Sequence, residues 1–67
     1  MITMCVYNSY NHIDYVKSFH TIEGAWQYFM TCGCNVYVWC DEVTNGTFFD
    51  ADVDPACYAA FVQACGG

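Results

Sequence analysis

Hydrophobic and polar positions change period along this chain. Residues 2–7 (Ile-Thr-Met-Cys-Val-Tyr) form a short apolar run that reads as a strand, and residues 13–19 alternate and read as a second. Asn8 to His12 between them is turn-like. The period then becomes helical, because Ile22, Ala25, Trp26 and Phe29 recur at i, i+3, i+4 and i+7. Thr21 stands where an N-cap belongs, Glu23 falls in the first turn, and Gly33 is a natural stop. Gly24 inside the helix costs about 1 kcal/mol against alanine, which suggests a close neighbour there.

Alternation returns over residues 34–44, Asn45-Gly46 signals a hairpin turn, and residues 47–53 form the return strand. Asp54-Pro55 opens a last helix, with Asp as N-cap and Pro at its first position. Its inner stripe is Cys57, Ala60, Phe61 and Ala64, and Gly66-Gly67 ends it. The order is ββαββα. The expected fold is α+β, a two-layer sandwich of a four-stranded, mainly antiparallel sheet with two helices on one face. Residues 1–67 are expected to make a single domain, without repeat, linker or low-complexity tract.

A two-residue turn at Asn45-Gly46 fixes a register. Thr44 then faces Thr47, Val43 faces Phe48, Glu42 faces Phe49, Asp41 faces Asp50, Cys40 faces Ala51 and Trp39 faces Asp52. One face of the hairpin carries Cys34, Val36, Val38, Cys40, Phe49, Ala51 and Val53, is apolar and small apart from Glu42 and Thr44 near the tip, and is expected to pack on the helices. The other carries Asn35, Tyr37, Trp39, Asp41, Val43, Phe48, Asp50 and Asp52, and is expected to be exposed. Like charges opposite one another on adjacent strands are destabilising. The Asp41–Asp50 pair therefore reads either as two well-solvated carboxylates or as part of a binding surface.

Composition sharpens this. The chain has one basic residue, Lys17, against Asp14, Glu23, Asp41, Glu42, Asp50, Asp52 and Asp54, for a net charge of -6. Five of these acids lie between positions 41 and 54. Direct nucleic-acid binding is excluded on charge, because such affinity comes largely from Lys and Arg neutralising phosphate. No apolar run approaches the roughly 20 residues that a membrane span needs. No secretory leader is evident, and the sequence reads as a complete small gene product of the cytoplasm. With 57% hydrophobic residues the chain has material for a dense core. Its two Trp, six Tyr and five Phe exceed what so small a core hides.

Six cysteines allow two readings. They are reduced core thiols, since Cys34 and Cys40 share parity with Val36 and Val38 while Cys57 and Cys65 lie on the helical stripe. Alternatively they staple a small secreted structural module. A zinc site from Cys32, Cys34 and Cys40 with His12 or His20 lacks any Cys-x-x-Cys pair. Asp50-x-Asp52-x-Asp54 fails as an EF-hand, because Pro55 and Phe61 occupy the positions of the required Gly and Glu. A loose cation site among Asp41, Asp50 and Asp52 stays open, so a small metal-binding protein is a further alternative; no cofactor is expected. His12 and His20 read as surface or capping residues, and no nucleophile, base and pocket assemble into an enzyme.

If extended, Asp50, Asp52 and Asp54 stand about 6.6 Å apart, near two phosphate steps of one DNA strand. Asp41 and Glu42 would complete a negative edge, with Tyr37 and Trp39 as aromatic anchors and Asp14 as an extension. Lys- and Arg-lined clefts recognise carboxylates as well as phosphates. In size, acidity, α/β build and absence of a catalytic signature the chain resembles the small phage-encoded inhibitors of bacterial defence, which include anti-CRISPR proteins and anti-restriction DNA mimics. The resemblance spans the whole chain in character and rests on no motif. It implies a non-enzymatic inhibitor, a monomer or small homo-oligomer, that meets the basic DNA-binding surface of a host nucleoprotein complex, its PAM-reading part included.

Overall fold

Strand β1 (Ile2–Tyr7) runs through the middle of the protein in the computed structural model, which describes residues 1–42, 45–52 and 55–67. It is antiparallel to β2 (Ile13–Phe19) on one side and to β3 (Val36–Cys40) on the other. The short β4 (Thr47–Phe49) completes a four-stranded antiparallel sheet in the order β2-β1-β3-β4. Helix α1 (Ile22–Cys32) follows β2 and α2 (Tyr58–Ala64) follows β4, so the order is ββαββα and the fold is α+β.

The first half forms as its local chemistry dictates. Asn8 Oδ1 accepts from the backbone N–H groups of Tyr10 and His12, and Asn11 takes the left-handed conformation (φ 63) that asparagine tolerates. The Thr21 hydroxyl caps α1 by accepting from Gly24 N–H at 3.0 Å, and Gly33 ends the helix with φ 66. The close neighbour at Gly24 is this same capping hydroxyl, 3.0 Å from where a Cβ would stand, and not a packed helix or strand, whose nearest atom is Phe19 Cδ2 at 4.0 Å.

In an antiparallel sheet, directly paired residues share a face. Ile2, Met4 and Val6 of β1, Val36 and Val38 of β3, and Phe49 of β4 turn toward the helices and are buried. They meet Ala25 and Phe29 of α1 and Phe61 and Ala64 of α2 in one cluster. Phe61 is its centre, with ring centroids 5.8 Å from Phe29, 5.4 Å from Phe49 and 5.1 Å from Trp26. Burying one such side chain contributes roughly 1.5–3 kcal/mol.

The second half departs from expectation in three places. First, the β3–β4 register pairs Val36 with Phe49, Tyr37 with Phe48 and Val38 with Thr47. This is six positions away from a register set by a two-residue turn. Phe49 accordingly pairs with Val36 and packs against the rings of both Phe29 and Phe61, where the expected register would set it beside Glu42 at the exposed end of the sheet. Burial of a phenylalanine decides the register against the turn signal. Second, β3 and β4 are shorter than the spans 34–44 and 47–53; Ala51 lies exposed in a turn, its N–H donating to Asn35 Oδ1 at 2.8 Å. Third, Pro55–Cys57 is a 3-10 turn and the α-helix begins at Tyr58. The buried stripe is Phe61, Ala64 and Cys65, while Ala60 is exposed and Cys57 and Cys34 are half-buried. The expectations for Val43, Thr44, Val53 and the Asp54 N-cap lie outside the described residues.

Candidate functional site

Among the described residues no helix covers the second face of the sheet, and pairing determines what stands on it. Val16 pairs with Cys5, Cys5 with Tyr37 and Tyr37 with Phe48, so these four form one row across all four strands. A neighbouring row holds Ser18, Thr3 and Trp39. On the other side Ile13 pairs with Tyr7, beyond a bulge in which Asp14 is the unpaired residue. The rows contain no charged side chain. Ile13 and Val16 are each 56% exposed and Phe48 is 44% exposed, high values for apolar residues arranged side by side. Tyr37 and Trp39 pack with centroids 5.8 Å apart, and Tyr7 and Phe48 with centroids 5.6 Å apart.

The acids flank this face. Asp41 follows directly on β3, its N–H donating to Met1 O at 2.9 Å, and its Oδ1 accepts from the Thr3 hydroxyl at 2.6 Å. Glu42 beside it receives the N-terminal ammonium at 3.4 Å and the Cys40 thiol at 2.7 Å. The thiol hydrogen bond first, then a backbone N–H bond and the terminal charge, hold the Glu42 carboxyl below its usual range.

Asp50 stands at the other end of β3. It follows Phe49, which pairs with Val36, and so comes level with Asn35. From the level of Asn35 to Asp41 is about 20 Å, six strand residues at roughly 3.3 Å each. The facing Asp41–Asp50 pair expected from the turn therefore does not form. A shared cation site of Asp41, Asp50 and Asp52 fails for the same reason. Ala51 and Asp52 lie in a turn, so Asp50 and Asp52 are not spaced along an extended strand, and Asp54 lies outside the described residues. Asp14 joins this second end across the sheet, since its neighbour Ile13 pairs with Tyr7 and Tyr7 N–H donates to Asn35 O. The arrangement is an aromatic field with carboxylates at both ends: Asp41 at one, with Glu42 next to it turned to the Cys40 thiol on the helix side, and Asp14, Asp50 and Asp52 at the other. The sequence pattern did not single out Ile13, Val16 and Tyr7: strict alternation sets Ile13 on the face opposite Val16, and only the bulge at Asp14 brings the two together.

The one lysine stands on the opposite side of the sheet. Lys17 shares its face with Met4, and its ammonium lies 5.7 Å from the Phe19 ring centroid and 5.4 Å from that of Tyr28. Nearby, the hydroxyls of Tyr15 and Tyr28 are hydrogen-bonded, which ties the edge strand β2 to α1. That bond is the main reason the Tyr15 hydroxyl is pushed up to about 12.

The six cysteines are free thiols. Burial raises Cys5, Cys32 and, to about 11, Cys65, which keeps these thiols in the neutral, unreactive form at neutral pH. His12 and His20 are exposed. Among the described residues no three His, Cys, Asp or Glu side chains are gathered to hold a metal ion, and no helix is long and apolar enough to cross a membrane.

No protein-family model, no curated protein and no solved structure matches this chain.

Proposed function

We propose that this chain is a non-enzymatic inhibitor that presents its uncovered sheet face to the Lys- and Arg-rich DNA-binding site of a host defence complex, in the manner of an anti-CRISPR protein. It would act in the bacterial cytoplasm, encoded by a phage, and block recognition of target DNA. One observation carries this reading: a cation-free aromatic face has carboxylates at both of its ends. Aromatic residues supply the desolvated centre typical of interface hot spots. Carboxylates at the rim pair with guanidinium groups that otherwise hold phosphate, and a net charge of -6 draws the chain toward a basic cleft. The mimicry differs in form from a ladder of adjacent phosphates. Two negative ends roughly 20 Å apart ask for two basic groups astride an apolar patch.

The test is inhibition of target-DNA binding by purified RNA-guided effector complexes. The variant carrying Asp41→Lys, Asp50→Lys and Asp52→Lys is expected to lose inhibition while keeping its circular dichroism spectrum. Undiminished inhibition by the folded variant would sink the proposal.

A further inference from the structure

The helical side of the protein carries a separate feature that the sheet face does not explain. Between the first turns of α1 and the 3-10 turn that leads into α2 is a cleft of about 340 Å³, lined by Glu23, Trp26, Gln27, Pro55 and Tyr58. We propose that this cleft is a binding site for a guanidinium group, the side chain of an arginine on another protein.

Three observations support the assignment. Two walls are aromatic and nearly perpendicular: the Trp26 and Tyr58 rings meet edge to face, with centroids 5.0 Å apart and planes at 74°. Perpendicular aromatic walls are the beginning of a cation cage. Trp26 is held from behind by Phe29, 5.9 Å away, and by Phe61, so its wall is set before any ligand arrives. The remaining lining groups are acceptors for a planar donor. Glu23 and Gln27 stand one helical turn apart on the same side of α1 as Trp26, and offer a carboxylate and an amide oxygen. A cation without N–H groups would use the rings alone, whereas guanidinium uses rings and acceptors together.

The third observation is that the chain cannot fill the cleft with a cation of its own. It has one lysine and no arginine, and Lys17 is placed over Phe19 and Tyr28. A guanidinium held in this cleft therefore comes from another molecule. The site is on the layer opposite the uncovered sheet face, so it stands or falls independently of the inhibitor reading.

The experiment uses the intact chain and Nα-acetyl-arginine methylamide, followed by ¹H–¹⁵N spectra at constant ionic strength. The chain has two indoles, and Trp39 on the sheet face serves as an internal control. We expect a saturating shift of the Trp26 indole and of the Glu23 and Tyr58 amides, with the Trp39 indole unmoved. The neutral citrulline analogue should bind about tenfold more weakly or worse. Glu23→Gln should weaken the arginine probe about fivefold, and Tyr58→Leu about threefold. Equal response to citrulline, or unsaturating shifts of both indoles together, would overturn the proposal. Tetramethylammonium binding as tightly as the arginine probe would overturn the guanidinium assignment.

Discussion

The Thr3 hydroxyl donates to Asp41 Oδ1 at 2.6 Å, although the two residues are 38 positions apart. Thr3 pairs with Trp39 across β1 and β3, so its side chain stands on the uncovered face and draws the carboxylate toward it. The bond fixes where one of the two acidic ends begins. Charge-assisted hydrogen bonds are stronger than neutral ones, but exposure reduces their net worth. A double-mutant cycle of Thr3→Val and Asp41→Asn in urea is therefore expected to show a coupling of about 0.5–1 kcal/mol. Additive effects would mean that the bond contributes nothing.

Phe48 and Phe49 are neighbours in sequence and opposites in the fold. Phe49 is buried against Phe29 and Phe61, and Phe48 stands 44% exposed beside Tyr7 on the other face. Phe49→Ala should cost about 3–5 kcal/mol, comparable with the whole stability of a domain this size, roughly 3–10 kcal/mol. If that variant is unfolded, Phe49→Leu should still show a loss of about 1–1.5 kcal/mol. Phe48→Ala should cost about 1 kcal/mol or less. Equal costs from denaturant midpoints would contradict the facing of β4 that buries Phe49 and exposes Phe48.

Gly46 explains why that register was hidden in the sequence. A type I′ turn needs positive φ at both central residues. Gly46 is not left-handed, and a Cβ there would stand 2.4 Å from Cε1 of Tyr37. The glycine makes room for an aromatic ring on the uncovered face; a tight turn does not require it. Gly46→Ala is therefore expected to displace Tyr37 and change the near-ultraviolet circular dichroism. In a Tyr37→Ala background the same change should be close to silent. An equal effect in both backgrounds would return the glycine to a backbone role.

The same residue marks the limit of what alternation can tell. Period and capping residues located β1, β2 and α1, because Thr21, Gly33 and the 2–7 and 13–19 patterns act locally. Parity within the second hairpin also survived, since a six-residue shift is even and keeps Val36, Val38 and Phe49 on one face. The long-range choice between registers depends on where Phe49 finds Phe29 and Phe61, and no local signal carries that. Asp41 and Asp50 consequently moved from opposite one another to opposite ends of the sheet.

Alkaline pH should destabilise the fold in a defined window. The Cys65 thiol, ordinarily near 9.0, is raised by burial first and by Cys40 second to about 11. Tyr15, ordinarily near 10.0, is raised to about 12, chiefly by its hydrogen bond with Tyr28. Both groups are neutral when protonated, and both keep their protons longer in the folded state. Between pH 9 and 12 the folded chain thus binds more protons than the unfolded one, so stability is complete below pH 9 and falls as pH rises. Tyr15→Phe should flatten the upper part of that decline, from about pH 10 upward. Urea midpoints measured from pH 8 to 11.5 test this, and a profile identical to that of the parent would rule out Tyr15 as a source.

Salt should reveal the uncovered face. Ile13, Val16 and Phe48 stand exposed on it without a charge among them, a surface that favours self-association. Each copy carries a net charge of -6, which opposes the encounter. The screening length falls from about 10 Å at 0.1 M to about 3 Å at 1 M salt, while apolar attraction is retained. Sedimentation velocity should therefore find monomers at 0.05 M sodium chloride and reversible self-association at 1 M. Val16→Asn leaves the charge unchanged and removes apolar surface from the four-strand row, so it should suppress that association. Met30 is 42% exposed on α1, in the helical layer that backs the opposite face of the sheet, and Met30→Asn should leave it intact. Association at low salt would contradict the role given to charge. Suppression by Met30→Asn in place of Val16→Asn would assign the sticky surface to the helices.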